Sequence, residues 1–241
     1  MPRTANSAGG KSPCRLTDWR LLRWSLLICC LSGCALALTG CVNTLALSSK
    51  VLFGDPKQVS AFQLATGKSL VKSDKQVLVY CAAEGRLSDE FGGLSSDVQE
   101  RLIQRMKKQH IAALPPDTGA NIIDRVGRFD PHLLAAELPE VDYIMHIQLD
   151  GFSVTQPGSP SLYHSRAHGS ISGYEVRTDP QGSRYITQVL GQNFVAEYPQ
   201  NQPIPREQIS SSVFYRRAVE HLADTVGAAF YDVPLAQLYA R

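Results

Sequence analysis

Cysteine is scarce beyond the amino-terminal segment of this 241-residue sequence, and no intramolecular disulfide is expected once that segment is removed. Of its six cysteines, five fall within the first 41 residues and only Cys81 comes later. The cysteines and histidines also lack the close pairing that a zinc knuckle requires. The nearest histidine pair, His164 and His168, falls in an extended run, where four residues span about 13 Å. Two ligands of one ion at about 2 Å each cannot be that far apart, so no metal and no cofactor is expected. A G-x-S-x-G elbow is missing, and Gly92-Gly93 lacks both the Lys-Ser/Thr of a P-loop and a full G-x-G-x-x-G. No internal repeat and no low-complexity tract is visible.

Charge is equally uninformative once the amino-terminal segment is set aside. The whole chain carries 24 basic and 22 acidic residues. Residues 1–41 hold five of the basic ones (Arg3, Lys11, Arg15, Arg20, Arg23) and one acidic one, Asp18; 19 basic against 21 acidic remain, a net charge of −2. Nucleic-acid binding needs a basic patch to neutralise phosphates. The only dense one, Arg101 to Lys108, reads as the solvated side of a helix, so no nucleic-acid partner is expected.

What the chain does have is an organised amino terminus. Arg15, Arg20 and Arg23 precede an apolar run from Trp24 to Leu38, and no charged residue occurs between Arg23 and Lys50. A basic flank, a short apolar core and small residues at its end describe a secretory signal. The ending Leu38-Thr39-Gly40-Cys41 looks like a bacterial lipobox, which makes Cys41 the expected lipidation site. Leu31-Ser32-Gly33-Cys34 is a second, weaker match, because cutting there leaves a short apolar core and a greasy new end. About 18 apolar residues can also cross a bilayer, so an uncleaved single-pass transmembrane anchor stays open. In the sorting logic of many diderm bacteria, Val42 after the cysteine favours the periplasmic face of the outer membrane over the inner membrane.

The remaining residues suffice for one domain plus a tether. The expected organisation is a signal peptide or anchor over 1–40, a lipidated tether over 41–75 and a globular domain over 76–235. Val77 to Ala83 is a continuous apolar run, as in a strand covered on both faces. Leu94, Val98, Leu102 and Met106 recur every fourth residue, with Ile103 beside them, and predict an amphipathic helix capped by Ser95 or Ser96. Ile122-Ile123 reads as a short strand. Asp130-Pro131 reads as a helix cap with proline at the first helical position, and Val141 to Val154 as a long strand. Leu162 to Arg177 and Arg184 to Tyr198 flank a hairpin turn. A final helix is expected over Arg206 to Tyr231, with Ile209, Val213, Ala218, Leu222, Val226 and Phe230 inward. The order β-α-β-α-β-β-β-α predicts an α/β (α+β) fold: a mixed sheet of about five strands with about three helices packed on it.

Gly54-Asp55-Pro56-Lys57, Val77 to Cys81, Val141-Asp142-Tyr143-Ile144 and Pro157 to Tyr163 together resemble a family of small envelope lipoproteins from planctomycete bacteria, which carries no assigned activity. The resemblance covers about residues 45–231. The order of elements and the Val141 to Ile144 string are also distantly similar to the periplasmic domains of curli-secretion and penicillin-binding-protein-activator lipoproteins. Those proteins bind other proteins, so the resemblance implies an envelope protein partner and no catalysis.

The residues themselves offer few competitors to that reading. Cys81 follows Val77 to Tyr80 in a buried strand, where a thiol behaves as a small hydrophobe. His146 alternates with apolar neighbours and reads as a hydrogen-bonded sheet histidine. Glu84, Asp89 and Glu90 lie with Gly85, Gly92 and Gly93 near the carboxyl end of the first strand, where α/β ligand sites tend to occur. An envelope hydrolase or small-ligand site in that loop is the alternative. The long hairpin lacks the clean apolar and polar alternation of transmembrane strands and is assigned to the soluble sheet. The segment expected to meet a partner is the loop from Gln156 to Tyr163, through Pro157, Gly158, Pro160 and Tyr163.

Overall fold

A computed structural model describes residues 57–234. In chain order the elements are β1 (Lys57–Gln58), α1 (Ala61–Thr66), β2 (Val77–Ala83), α2 (Gly85–Glu90), α3 (Leu94–Lys108), α4 (Ala120–Val126) and α5 (Pro131–Glu137). They continue with β3 (Tyr143–Gln156), β4 (Ser159–Thr178), β5 (Arg184–Tyr198), β6 (Ile204–Pro205), α6 (Ser211–Gly227) and β7 (Val233–Pro234). The fold is the α+β architecture expected: a five-stranded mixed sheet in the order β2-β3-β4-β5, with β6 added beside β4.

β2 and β3 run parallel, Val77 opposite Tyr143 and Ala83 opposite Leu149. A parallel pair needs a long crossover, and residues 84–142 supply it with four helices. The remaining long strands are antiparallel, and a bulge between Leu149 and Gly151 breaks the β3–β4 register. Alternation along β3 decides which layer each residue joins. Tyr143, Met145, Ile147 and Leu149 face a core built with Val98, Leu102 and Met106 of α3 and with Phe214, Leu222 and Val226 of α6. Ile144 faces the other way, into a smaller core with Leu78, Ile122, Ile123 and Leu134.

Several local expectations are corrected. Ile122 and Ile123 belong to α4, a helix that buries both against the second face of the sheet. Two apolar residues are too short a run to reveal a period, and the fifth strand is instead Ile204–Pro205, paired with Leu162 and Tyr163. Ser95 and Ser96 lie inside α3, whose cap is Gly93 at φ 90, a left-handed conformation open to glycine. The segment after Glu84 is not all loop, because α2 forms there and buries Leu87. The final helix is shorter than expected, and Phe214 rather than Val213 fills the core. Asp130 does cap α5, accepting the N–H groups of His132 at 3.0 Å and Leu133 at 3.2 Å.

The tether expected over 41–75 gives way to the fold well before residue 75. Phe62 and Leu70 are 0% and 1% exposed within the main core, and Phe62 meets Tyr143 edge-on at 5.2 Å. β1 pairs with β7, joining the two ends of the described chain.

Candidate functional site

Cys41 lies outside the described residues, as does the whole segment proposed to target or anchor the chain. The segment expected to meet a partner is split by the structure. Pro157, Gly158 and Pro160 are exposed at the turn between β3 and β4, with Gly158 at φ 77. Tyr163 is only 6% exposed. Its ring stacks on Phe214 at 4.7 Å, and Arg206 sits 5.0 Å from its centroid. Tyr163 therefore fastens the hairpin base to α6 and is not a surface contact; in an alternating strand its odd position carries it inward with Ser165, Ala167 and Ile171.

Glu84, Asp89, Glu90, Gly92 and Gly93 are all exposed, and no histidine stands among them. His164 and His168 lie two side-chain repeats apart along β4, and among the described residues no group of three or more His, Cys, Asp or Glu could hold a metal ion. Cys81 is buried and free, and burial pushes its thiol up to about 12. Its backbone N–H donates to Gln99 Oε1 at 3.1 Å, while Gln99 Nε2 donates to the Pro116 carbonyl at 3.1 Å.

His146 departs from the sheet histidine expected. Its ring is stacked on Phe129 at 4.0 Å and faces Tyr80 at 5.9 Å. Its Nε2 is buried with no hydrogen-bond partner among the described residues. Burial holds its pKa down at about 4, so the ring is neutral and acts as an aromatic plate. The strand pattern that placed His146 opposite Met145 and Ile147 was readable, but Phe129, seventeen residues earlier in the crossover, was not.

One recess was not signalled by any motif. A cavity of about 570 Å³ opens between the ends of α3 and α6, the end of β5 and the β1–β7 ribbon, lined by Arg105, Lys108, Glu197, His221, Thr225 and Tyr231 among others. Arg105 is held there by Asp224 and donates to the Glu220 carbonyl at 3.0 Å. The 119 residues separating Arg105 from Asp224 leave no spacing signal to read.

A second recess, about 360 Å³, is bordered by Phe62, Lys68, Lys75, Tyr143 and Glu175. Burial alone would raise Glu175, but hydrogen bonds from Lys68, Arg177 and Tyr143 outweigh it and bring the carboxyl to about 2. Glu175 meets Lys68 at 2.7 Å through one carboxylate oxygen and Arg177 at 2.5 Å through the other.

No protein-family model and no curated protein matches the chain, so the resemblance to planctomycete lipoproteins rests on its short strings alone. Among solved structures, the PelC dodecamer from Paraburkholderia phytofirmans is similar at 10% identity, over 73% of this chain and 96% of that one, with a TM-score of 0.38. The hypothetical protein CT253 from Chlamydia trachomatis is similar at 9% identity, over 66% and 98%, with a TM-score of 0.42. A third, titled lipoprotein GNA1162 from Neisseria meningitidis, is similar at 10% identity, over 63% and 97%, with a TM-score of 0.32. Likenesses this distant carry no argument about this chain, and its site is read from its own residues. Among those described, no helix is long and apolar enough to cross a membrane.

Proposed function

We propose that this chain is a lipid-anchored protein of the cell envelope that binds a protein partner and catalyses no reaction itself. The observation that carries the reading is Leu38-Thr39-Gly40-Cys41 directly after a basic-flanked apolar run. A processed Cys41 with several acyl chains anchors stably, where one chain would not. Val42 favours the periplasmic face of the outer membrane. The partner contact is assigned to the exposed turn at Pro157, Gly158 and Pro160, because its backbone is preset by a glycine at positive φ flanked by two prolines. The alternative site at Glu84, Asp89 and Glu90 is the weaker reading, because all three residues are exposed.

The test is intact mass and membrane fractionation of the wild type beside Cys41→Ala. Loss of residues 1–40, added acyl mass and membrane retention in the wild type, with the mutant held as precursor, support the reading. Retention of the leader by both proteins, both in membranes, would instead make Trp24 to Leu38 a transmembrane anchor. For the partner, crosslinked envelopes from cells with wild-type protein are compared with Pro157→Ala/Pro160→Ala. A partner recovered equally well by both would move the contact elsewhere.

A further inference from the structure

We infer that the end of the domain at which the chain enters the fold is a docking surface for anionic phospholipid headgroups. This rests on the anchored reading above. The described residues contain six lysines. Lys68 and Lys75 are engaged, with Glu175 at 2.7 Å and Asp142 at 2.9 Å. Lys57, Lys72, Lys107 and Lys108 are all exposed and form none of the ion pairs among the described residues.

Those four share one end of the molecule. Lys57 opens β1, and its neighbour Gln58 lines the same cavity as Lys108, Gln109 and Pro234. Lys72 reaches the same corner through its N–H, which donates to the His110 carbonyl at 3.0 Å. The acidic groups nearby are already committed: Asp224 to Arg105, Glu197 to Arg166 at 3.3 Å, and Asp232 to the Ser60 N–H at 3.0 Å. Asp74, exposed between Lys72 and Lys75, is the acidic exception on that segment.

Lys72 and His110 are also the only non-glycine residues at positive φ among those described, at 56° and 58°. Glycine would hold that backbone with less strain, yet a lysine stands at one position and a histidine at the other.

The chain outside the structure supplies the partner. Residues 42–56 connect Cys41 to Lys57 and extend to at most roughly 54 Å, so a lipid at Cys41 keeps the entry point at Lys57 within reach of headgroups. Cations near an anionic surface each strengthen attachment by about fivefold, within a Debye length of roughly 8 Å at physiological salt. The domain would then rest on the membrane by this end and leave the turn at Pro157 to Pro160 for the partner.

The test reconstitutes the full processed chain into phosphatidylcholine vesicles and into vesicles with about 30% phosphatidylglycerol. Each lysine's acetylation rate is read by mass spectrometry. The expected result is slowing of Lys57, Lys72, Lys107 and Lys108 by about threefold or more on anionic vesicles only, reversed by about 0.5 M salt, with Lys68 and Lys75 unchanged. The triple variant Lys72→Glu, Lys107→Glu, Lys108→Glu, altered only at exposed positions, should lose the slowing at Lys57.

Equal rates on both vesicles overturn the inference. So does equal protection on neutral vesicles, which would mean that another protein copy covers the patch. Flotation with neutral vesicles reads the anchor by itself: a chain that fails to float there has lost the anchored reading, while the salt-sensitive contrast between vesicles still decides the patch.

Discussion

His146 shows how one side chain can tie stability to pH. Its imidazole, stacked on Phe129 with Nε2 unpartnered, titrates near 4 instead of the usual 6.5. The unfolded chain takes up a proton as pH falls through about 6.5, and the folded chain does so only near 4, so stability drops across that window. The drop should reach roughly 2 to 3 kcal/mol at pH 4. His146→Phe keeps the stack and removes the titration, and urea midpoints at pH 7 and pH 4 should move apart less in that variant. An equal gap in both proteins would remove His146 as the cause. Glu175 acts in a lower window: with its pKa held at about 2, its contribution is complete above about pH 4.5 and disappears as pH falls toward 2. Gly169 marks a different constraint, since a Cβ there would lie 2.0 Å from the Gln148 carbonyl oxygen of the neighbouring strand. Gly169→Ala should cost about 3 kcal/mol or more, read as a fall in melting temperature.

Among the elements, β2 has the least ordinary environment. It pairs with β3 along one side only, and a bare edge of a central sheet would leave N–H groups unsatisfied or open to another chain. Val77 is paired beyond the sheet, its N–H donating to the Ala112 carbonyl at 2.9 Å and its carbonyl accepting from Leu114 at 2.9 Å. Farther along, Gln99 reaches out of α3 and takes the Cys81 N–H. A buried amide is therefore the end-stop of the sheet. Gln99→Leu preserves bulk but orphans the Cys81 N–H and the Pro116 carbonyl, so a loss of about 2 to 3 kcal/mol is expected by chemical denaturation. A loss below about 0.5 kcal/mol would mean that water takes over both bonds. The α3 stripe was plain in the sequence because its period exposes it. Gln99 was not, since a polar residue on a helix gives no sign of which strand edge it will meet.

For the whole molecule, the joining of residues 57–75 to the carboxyl-terminal end is decisive. Phe62 N–H donates to the Ala229 carbonyl at 2.8 Å, and Ser60 N–H to Asp232 at 3.0 Å. A chain starting at residue 76 would lose Phe62 and Leu70 from the core, a loss of several kcal/mol against a total stability of about 5 to 15. Deletion of 1–55 should leave a cooperative thermal transition, and deletion of 1–75 should abolish it or lower it by more than about 15 °C. Matching transitions in the two would return 57–75 to the tether. The proposed anchoring through Cys41 is then separable from folding, which begins at about Lys57.

Taken by itself, the sequence determined the elements long enough to display a period and the α+β class, and it carries the short motif at Cys41 on which the anchored reading is proposed. Those features are local: apolar spacing, proline and glycine positions and a short processing motif are complete within a few turns of chain. Tertiary structure alone decided that Ile122 and Ile123 are helical, that Tyr163 faces Phe214, and that Lys68, Tyr143, Glu175 and Arg177 form one network. It also collected the unpaired lysines at the entry point. These outcomes depend on which distant segments meet, with Lys68 and Glu175 separated by 107 residues, and a separation of that length leaves no periodic trace in the chain.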